Sequence, residues 1–308
     1  MTTRGHVIKR DTPERQTLLR PMITRRYELT VDHTVCCGCV LCATVCPQEA
    51  IGLSEAELAE GRVVKRPRID IDGEKCSFCG ECVVLCPTQA LSLTVNGQAE
   101  VPVLKAKAFP MLIRTMRVDQ AICEAATETA YIENCPVGAI SAEIARDAQG
   151  AIVAVRNVQV DLAKCIACTR CMEEGPKGAF TVTKPYQGRA MLDVSLCPPG
   201  CQACADVCPS HAITYDGARV RLDQQFCLFC GACEKVCPAP GAIRIVRTGF
   251  IHTAVQSGAW AKAVEKLVSY HEVAHEYDLK GQAKRRKAVL SALLPEVASK
   301  EEASSPKN

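Results

Sequence analysis

The chain has 308 residues, of which 22 are cysteine and only 4% aromatic, so a large apolar core is not what organises it. Its 37 basic and 34 acidic side chains leave a net charge of +3, which gives no reason to expect nucleic acid as a partner. No stretch reaches the roughly 18 to 20 apolar residues that span a bilayer, and residues 1–30 hold no apolar signal-peptide core; a soluble, cytoplasmic protein without membrane contact is expected.

Residues 1–26 read as an N-terminal arm whose basic residues, Arg4 to Arg26, form a solvated tail. A repeat follows. Six times an aspartate stands four residues before a cysteine: Asp32 and Cys36, Asp72 and Cys76, Asp119 and Cys123, Asp161 and Cys165, Asp193 and Cys197, Asp223 and Cys227. Each unit closes with a proline, then a small and an apolar residue: Pro47 to Ala50-Ile51, Pro87 to Ala90-Leu91, Pro136 to Ala139-Ile140, Pro176 to Ala179-Phe180, Pro209 to Ala212-Ile213, Pro238 to Ala242-Ile243. The proline ends a short helix. Strand-like stretches lie between units at 62–71, 151–161 and 213–222, the last with an Asp216-Gly217 hairpin turn. Residues 250–290 hold no cysteine and read as a helical extension, with Ala259, Trp260, Ala263, Val264, Leu267 and Val268 as an apolar stripe that docks a partner subunit or another module, or packs on its own third module. A disordered polar tail is expected after about residue 298.

Spacing identifies the chemistry. Unit one reads Cys36-x2-Cys39-x2-Cys42-x3-Cys46-Pro47 and unit two Cys76-x2-Cys79-x2-Cys82-x3-Cys86-Pro87, the bacterial ferredoxin run. Three thiolates wrap one 4Fe-4S cube while the fourth cysteine ligates the other cluster. The first set is then Cys36, Cys39, Cys42 and Cys86, and the second Cys76, Cys79, Cys82 and Cys46. Units five and six repeat this plan with one extra residue at Pro198-Pro199-Gly200. They give Cys197, Cys201, Cys204 and Cys237 as one set, and Cys227, Cys230, Cys233 and Cys208 as the other.

The middle pair is defective in a complementary way. Unit three keeps Cys123 and Cys135 but has Ala126 and Thr129 at ligand positions, and unit four keeps Cys165, Cys168 and Cys171 but has Gly175 at the fourth. Crossed ligation leaves one complete set, Cys165, Cys168, Cys171 and Cys135, beside one lapsed site. Five 4Fe-4S clusters consume 20 of the 22 cysteines, and Cys37 and Cys123 remain as inert packed thiols. The expected fold class is α+β, tandem bacterial-type two-cluster ferredoxin modules with short helices and small antiparallel sheets. The modules fall at 27–104, 105–190 (degenerate, one cluster) and 191–249, with the helical extension and tail at 250–308. If the clusters form a single line, the middle set is the only relay between the outer modules.

Rival readings fit less well. Structural zinc sites bring two ligand pairs together across a loop, whereas x2, x2, x3 followed by proline suits a cubane; a zinc-stabilised scaffold is the alternative of a different class. Cysteines this close cannot all pair as disulfides without strain. His271-Glu272-Val273-Ala274-His275 matches the zinc-protease helix pattern, but about 30 residues follow without a further histidine, so an exposed charged helix is expected. Neither a Gly-x-Gly-x-x-Gly fingerprint after a strand nor a phosphate loop is present. Electron transfer without catalysis is what these features leave.

The paired units over residues 27–248, together with Met22-Ile23-Thr24-Arg25-Arg26-Tyr27-Glu28-Leu29 leading through Val31-Asp32-His33-Thr34 into Cys36-Cys37-Gly38-Cys39, resemble archaeal polyferredoxins. More narrowly, they resemble the polyferredoxin subunit of formylmethanofuran dehydrogenase, the tungsten or molybdenum complex that reduces carbon dioxide in methanogenesis. The resemblance implies a conduit between a donor, ferredoxin or a heterodisulfide reductase assembly, and metallopterin catalytic subunits. A polyferredoxin of a hydrogenase or heterodisulfide reductase complex is the alternative. That family carries four paired modules with all their clusters, whereas this chain has three and a lapsed site.

Overall fold

Each unit begins where an aspartate turns the chain. The Oδ1 atoms of Asp32, Asp72, Asp119, Asp161, Asp193 and Asp223 accept the backbone N–H two residues on, at 2.9–3.1 Å, the side-chain turn that aspartate forms readily. The backbone N–H of the same six residues donates to the alanine carbonyl that closes the paired unit. Asp32 bonds Ala90, Asp72 bonds Ala50, Asp119 bonds Ala179, Asp161 bonds Ala139, Asp193 bonds Ala242 and Asp223 bonds Ala212, all at 2.7–2.8 Å. Units one and two, three and four, and five and six are thereby tied in reciprocal pairs. The computed structural model in which these bonds are seen describes residues 6–268 and 285.

The first pair is built from β1 (Ile8–Asp11), β2 (Arg15–Pro21), β3 (Arg26–Asp32), α1 (Leu41–Val45), β4 (Ile51–Leu53), β5 (Glu57–Ala59), β6 (Arg62–Lys65), β7 (Ile69–Ile71), α2 (Glu81–Val84), β8 (Leu91–Val95), β9 (Gln98–Ala99) and α3 (Pro102–Lys105). Antiparallel β3–β8 and β4–β7 pairs flank the helices. Residues 1–26, expected as a solvated arm, instead supply β1 and β2, which extend the sheet in the order β1-β2-β3-β8-β9. Gln16 and Arg20 of β2 point inward: Gln16 accepts from the Ile71 N–H at 2.8 Å, and Arg20 donates to the Cys76 carbonyl at 2.8 Å. A polar residue on the buried face hides the alternation that marks a strand.

The second pair comprises β10 (Thr115–Val118), α4 (Gln120–Glu124), α5 (Ala130–Glu133), β11 (Ile140–Arg146), β12 (Ile152–Val160), α6 (Arg170–Glu174) and β13 (Phe180–Thr183). The third comprises β14 (Tyr186–Leu192), α7 (Ala203–Asp206), β15 (Ile213–Tyr215), β16 (Val220–Leu222), α8 (Ala232–Val236) and β17 (Ile243–Phe250), and α9 (Gly258–Leu267) follows. Their two-stranded antiparallel sheets, β10–β13, β11–β12, β14–β17 and β15–β16, repeat the first plan. The β15–β16 hairpin turns at Asp216, as its sequence predicts. β14 starts at Tyr186, so the third sheet begins before residue 191, where the sequence placed the boundary.

Helices of four or five residues cannot persist alone; α1 with α2, α5 with α6 and α7 with α8 pack as pairs. The first and third pairs also pack directly on each other. One core joins Leu41, Val45 and Leu85 to Phe109, Tyr186, Phe229 and Ile245, and the buried Tyr186 hydroxyl donates to the Leu85 carbonyl. The β5–β6 hairpin reaches the unit-five loop, where Gln202 N–H donates to the Gly61 carbonyl at 2.8 Å and Val63 N–H to Asp206 at 2.9 Å. A Cβ on Gly61, whose φ is +75°, would meet the Cys201 Cα at 2.8 Å, so only glycine permits this approach. The α9 stripe of Trp260, Ala263 and Leu267 is buried in the same core, with Trp260 edge-on to Phe109 at 5.0 Å and Phe250 at 5.3 Å, and α9 lies against α1. The His271–His275 pattern, the later extension and the polar tail lie outside the described residues.

Candidate iron-sulfur centres

The reciprocal backbone bonds decide where the fourth thiol of each run stands. A carbonyl four residues beyond Cys46, at Ala50, is fixed to the start of unit two, and one four residues beyond Cys86, at Ala90, to the start of unit one. Three cavities are consequently walled by three cysteines of one unit and the last of its partner. Cys76, Cys79, Cys82 and Cys46 line one, Cys165, Cys168, Cys171 and Cys135 another, and Cys227, Cys230, Cys233 and Cys208 a third.

In the remaining two expected sets the thiols lie near enough to act on one another electrostatically. Burial pushes the Cys36 thiol up to about 12, with neighbouring Cys39 and Cys86 adding to the effect, and burial raises Cys42 as well, followed by Cys39, Cys82, Cys86 and Cys36. Burial likewise pushes Cys204 up to about 12, assisted by Cys237, Cys197 and Cys201. Cys171 and Cys227 are also raised to about 12, first by burial. A bare thiolate is costly in such surroundings, and bound iron is what offsets that cost.

The residues around the cavities fit an anionic cluster. All 22 cysteines are free of disulfides. In three of the sets four thiols stand around the walls of one cavity. Backbone N–H groups reach ligand sulfurs, Ala90 to Cys86 at 3.2 Å, Ala139 to Cys135 at 3.3 Å and Phe229 to Cys227 at 3.3 Å. Cations are fixed beside the loops: Arg114 on the Cys86 carbonyl, Lys184 on the Cys227 carbonyl and Arg247 on the Cys230 carbonyl.

The lapsed fourth position of the middle pair is filled. Tyr131 and Phe180 pack with tilted rings 4.9 Å apart beside the buried Cys123, and a Cβ on Gly175 would meet the Phe180 ring and the Cys171 carbonyl at 2.7 Å. Phe180 holds the slot that Ile or Leu holds in the other five units. That substitution was the signal available in the sequence for a packed rather than an open site.

Cys37, expected as an inert thiol squeezed beside a ligand, is buried against the third pair. It shares a core with Ile166, Leu228 and the candidate ligand Cys230, and Cys39 packs against that core. The outer pairs therefore touch at ligand residues, and the middle pair is not the only link between them. No helix among the described residues is long and apolar enough to cross a membrane.

A family model described as a 4Fe-4S dicluster domain matches residues 35–90 and 196–240, the first and third pairs. An uncharacterized ferredoxin of Methanocaldococcus jannaschii is 44% identical over 55 residues, 18% of this chain and 70% of that protein. A second from the same organism is 36% identical over 56 residues, 18% of this chain and 89% of that protein. Among solved structures, a chain in the formate dehydrogenase, heterodisulfide reductase and formylmethanofuran dehydrogenase complex from Methanospirillum hungatei is 26% identical. It superposes with a TM-score of 0.72 over 87% of this chain and 93% of its own length.

Proposed function

The chain belongs to the ferredoxins with 4Fe-4S dicluster domains, and from that premise we propose that it holds five such clusters as the electron conduit of a formylmethanofuran dehydrogenase complex. The observation that carries the narrower reading is the match to one chain of the Methanospirillum hungatei complex over nearly the whole length of both. The ligand sets are the five crossed groups of four cysteines given above. Electrons enter from ferredoxin or a heterodisulfide reductase assembly and leave towards metallopterin subunits.

When bound, the clusters supply one-electron redox chemistry at iron. The chain does the rest. It encloses three of the sets in cavities, turns N–H donors towards ligand sulfurs and sets Arg114, Lys184 and Arg247 beside the loops; the donors and cations favour the more negative, reduced state. Potentials are thereby tuned by the polypeptide.

The test is anaerobic purification from an archaeal host. Iron near 20 atoms per chain (about four per cubane in five sets) and copurifying tungsten or molybdenum subunits are expected. Iron near eight or 24 (roughly two or six cubanes) would sink the count. Copurification with a hydrogenase or a heterodisulfide reductase alone would move the carrier to that complex.

A further inference from the structure

The strand β2 lies outside the six cysteine units, yet it delivers a cation to one of them. Arg20, next to its last residue, is only 7% exposed. Its Nη2 donates to the Gly73 carbonyl at 3.0 Å and to the Cys76 carbonyl at 2.8 Å, and its guanidinium carbon stands 4.5 Å from the centre of the Phe78 ring, a cation–π contact. Gly73, Cys76 and Phe78 all belong to the loop that opens unit two and carries its first ligand. The loop is pressed against the N-terminal segment: a Cβ on Gly73 would meet Val7 at 2.7 Å and Leu18 at 3.3 Å.

Among the described residues, Arg20 and Glu81 are the only charged side chains that are buried. Both stand at the set of Cys76, Cys79, Cys82 and Cys46, with Glu81 in the wall of its cavity. Unit six offers a comparison. Phe229 occupies the position of Phe78, two residues after the first ligand, and Arg247 donates to the Phe229 and Cys230 carbonyls at 2.8 Å and 2.7 Å. Arg247, however, is half-buried and comes from β17 of its own pair, whereas Arg20 comes from a strand added ahead of the units. A guanidinium keeps its charge at any ordinary pH, and its field is screened far less in the interior than at the surface.

We propose that Arg20 is a positioning and tuning residue of the Cys76 set: it holds the ligand loop through the Gly73 and Cys76 carbonyls, and its fixed charge makes one-electron reduction of that set easier. This inference rests on the assignment of Cys76, Cys79, Cys82 and Cys46 as ligands of one cluster. Reduction adds one negative charge to the set, which a neighbouring cation stabilises, raising the potential. As one electron arrives from a one-electron donor protein, Arg20 keeps all its protons and no bond forms or breaks.

The experiment uses the full-length, anaerobically purified protein with Arg20→Gln and Arg20→Lys, Glu81 being left in place. Each is analysed for iron and by redox titration followed with electron paramagnetic resonance. Arg20→Gln keeps a donor for the loop carbonyls and removes the charge; Arg20→Lys keeps the charge and removes the planar fork. Both should hold the wild-type iron content. In Arg20→Gln the signal that disappears in Cys79→Ala should titrate at a more negative potential, while in Arg20→Lys it should lie nearer the wild-type value. An unshifted potential in Arg20→Gln with full iron would overturn the proposal, as would an equal shift in the two variants. Loss of iron in both would also overturn it, making Arg20 a packing residue alone. The wild-type iron content tests the five-cluster reading separately.

Discussion

The Asp119 N–H donates to the Ala179 carbonyl at 2.8 Å, the bond made in every other unit, although three of the four ligand positions of the adjacent site are replaced. The frame of the lapsed site has outlived its ligands, and aromatic packing now occupies it. Gly175→Cys should therefore not recover a cluster. Its Cβ would collide with Phe180 and the Cys171 carbonyl, and overpacking of this kind costs roughly 1–3 kcal/mol. Unchanged iron with a lower denaturation midpoint is expected. A gain of about four iron atoms, one further cubane, would contradict it.

Crossed ligation can be read from paired substitutions. Cys46→Ser combined with Cys76→Ser should lose a single cluster, because both residues line one cavity. Cys46→Ser combined with Cys36→Ser should lose two, leaving about 12 iron atoms rather than about 16. If the pattern is reversed, each unit ligates its own cluster.

Cys135 lines a cavity with Cys165, Cys168 and Cys171, while Cys123 lies with Tyr131 and Phe180. Cys135→Ala should convert one cluster to a three-iron form or lose it; Cys123→Ala should leave iron intact. Electron passage between the outer pairs should persist in Cys135→Ala, since the first and third pairs pack on each other directly. Abolished passage would restore the middle set as an obligatory relay.

Trp260 fixes α9 against Phe109 and Phe250. Trp260→Ala should remove roughly 3–5 kcal/mol of local packing and open residues 251–258 to limited proteolysis, with the clusters retained. Proteolysis at the wild-type rate would show that the helix docks by other contacts.

Burial raises Cys36, Cys171, Cys204 and Cys227 to about 12, above the ordinary thiol value of about 8.5. In the iron-free fold these thiols are comfortable while protonated, so its stability is present below about pH 8.5 and is lost as pH rises towards 12. Iron binding has the opposite sign, since each ligand must release its proton. Chelator-driven bleaching of the visible absorption should run faster at pH 6 than at pH 8. Equal rates would show that protonation of the ligands plays no part.

The cysteine and aspartate spacing made the ligand loops and their pairing legible, because turn chemistry and metal geometry tolerate little variation in those residues. β2 was hidden because Gln16 and Arg20 stand on its buried face, held by hydrogen bonds that a pattern of polarity does not register. The start of the third sheet at Tyr186 was hidden for a different reason: Phe180 to Leu192 reads as one continuous strand-like stretch broken only at Lys184-Pro185. Contact between the outer pairs was not legible because its partners, such as Gly61 with Gln202 and Tyr186 with Leu85, lie more than 100 positions apart in sequence.

The exchange of backbone bonds between Asp72 and Ala50 and between Asp32 and Ala90 also sets the step by which such a chain can change length. Removing one unit alone would strand an N–H and a carbonyl on its partner and leave two incomplete sites, whereas removing two neighbours as a pair breaks none of these bonds. A carrier of this design can therefore grow or shrink only by whole modules, and a single damaged unit is better kept as an unmetallated brace than deleted.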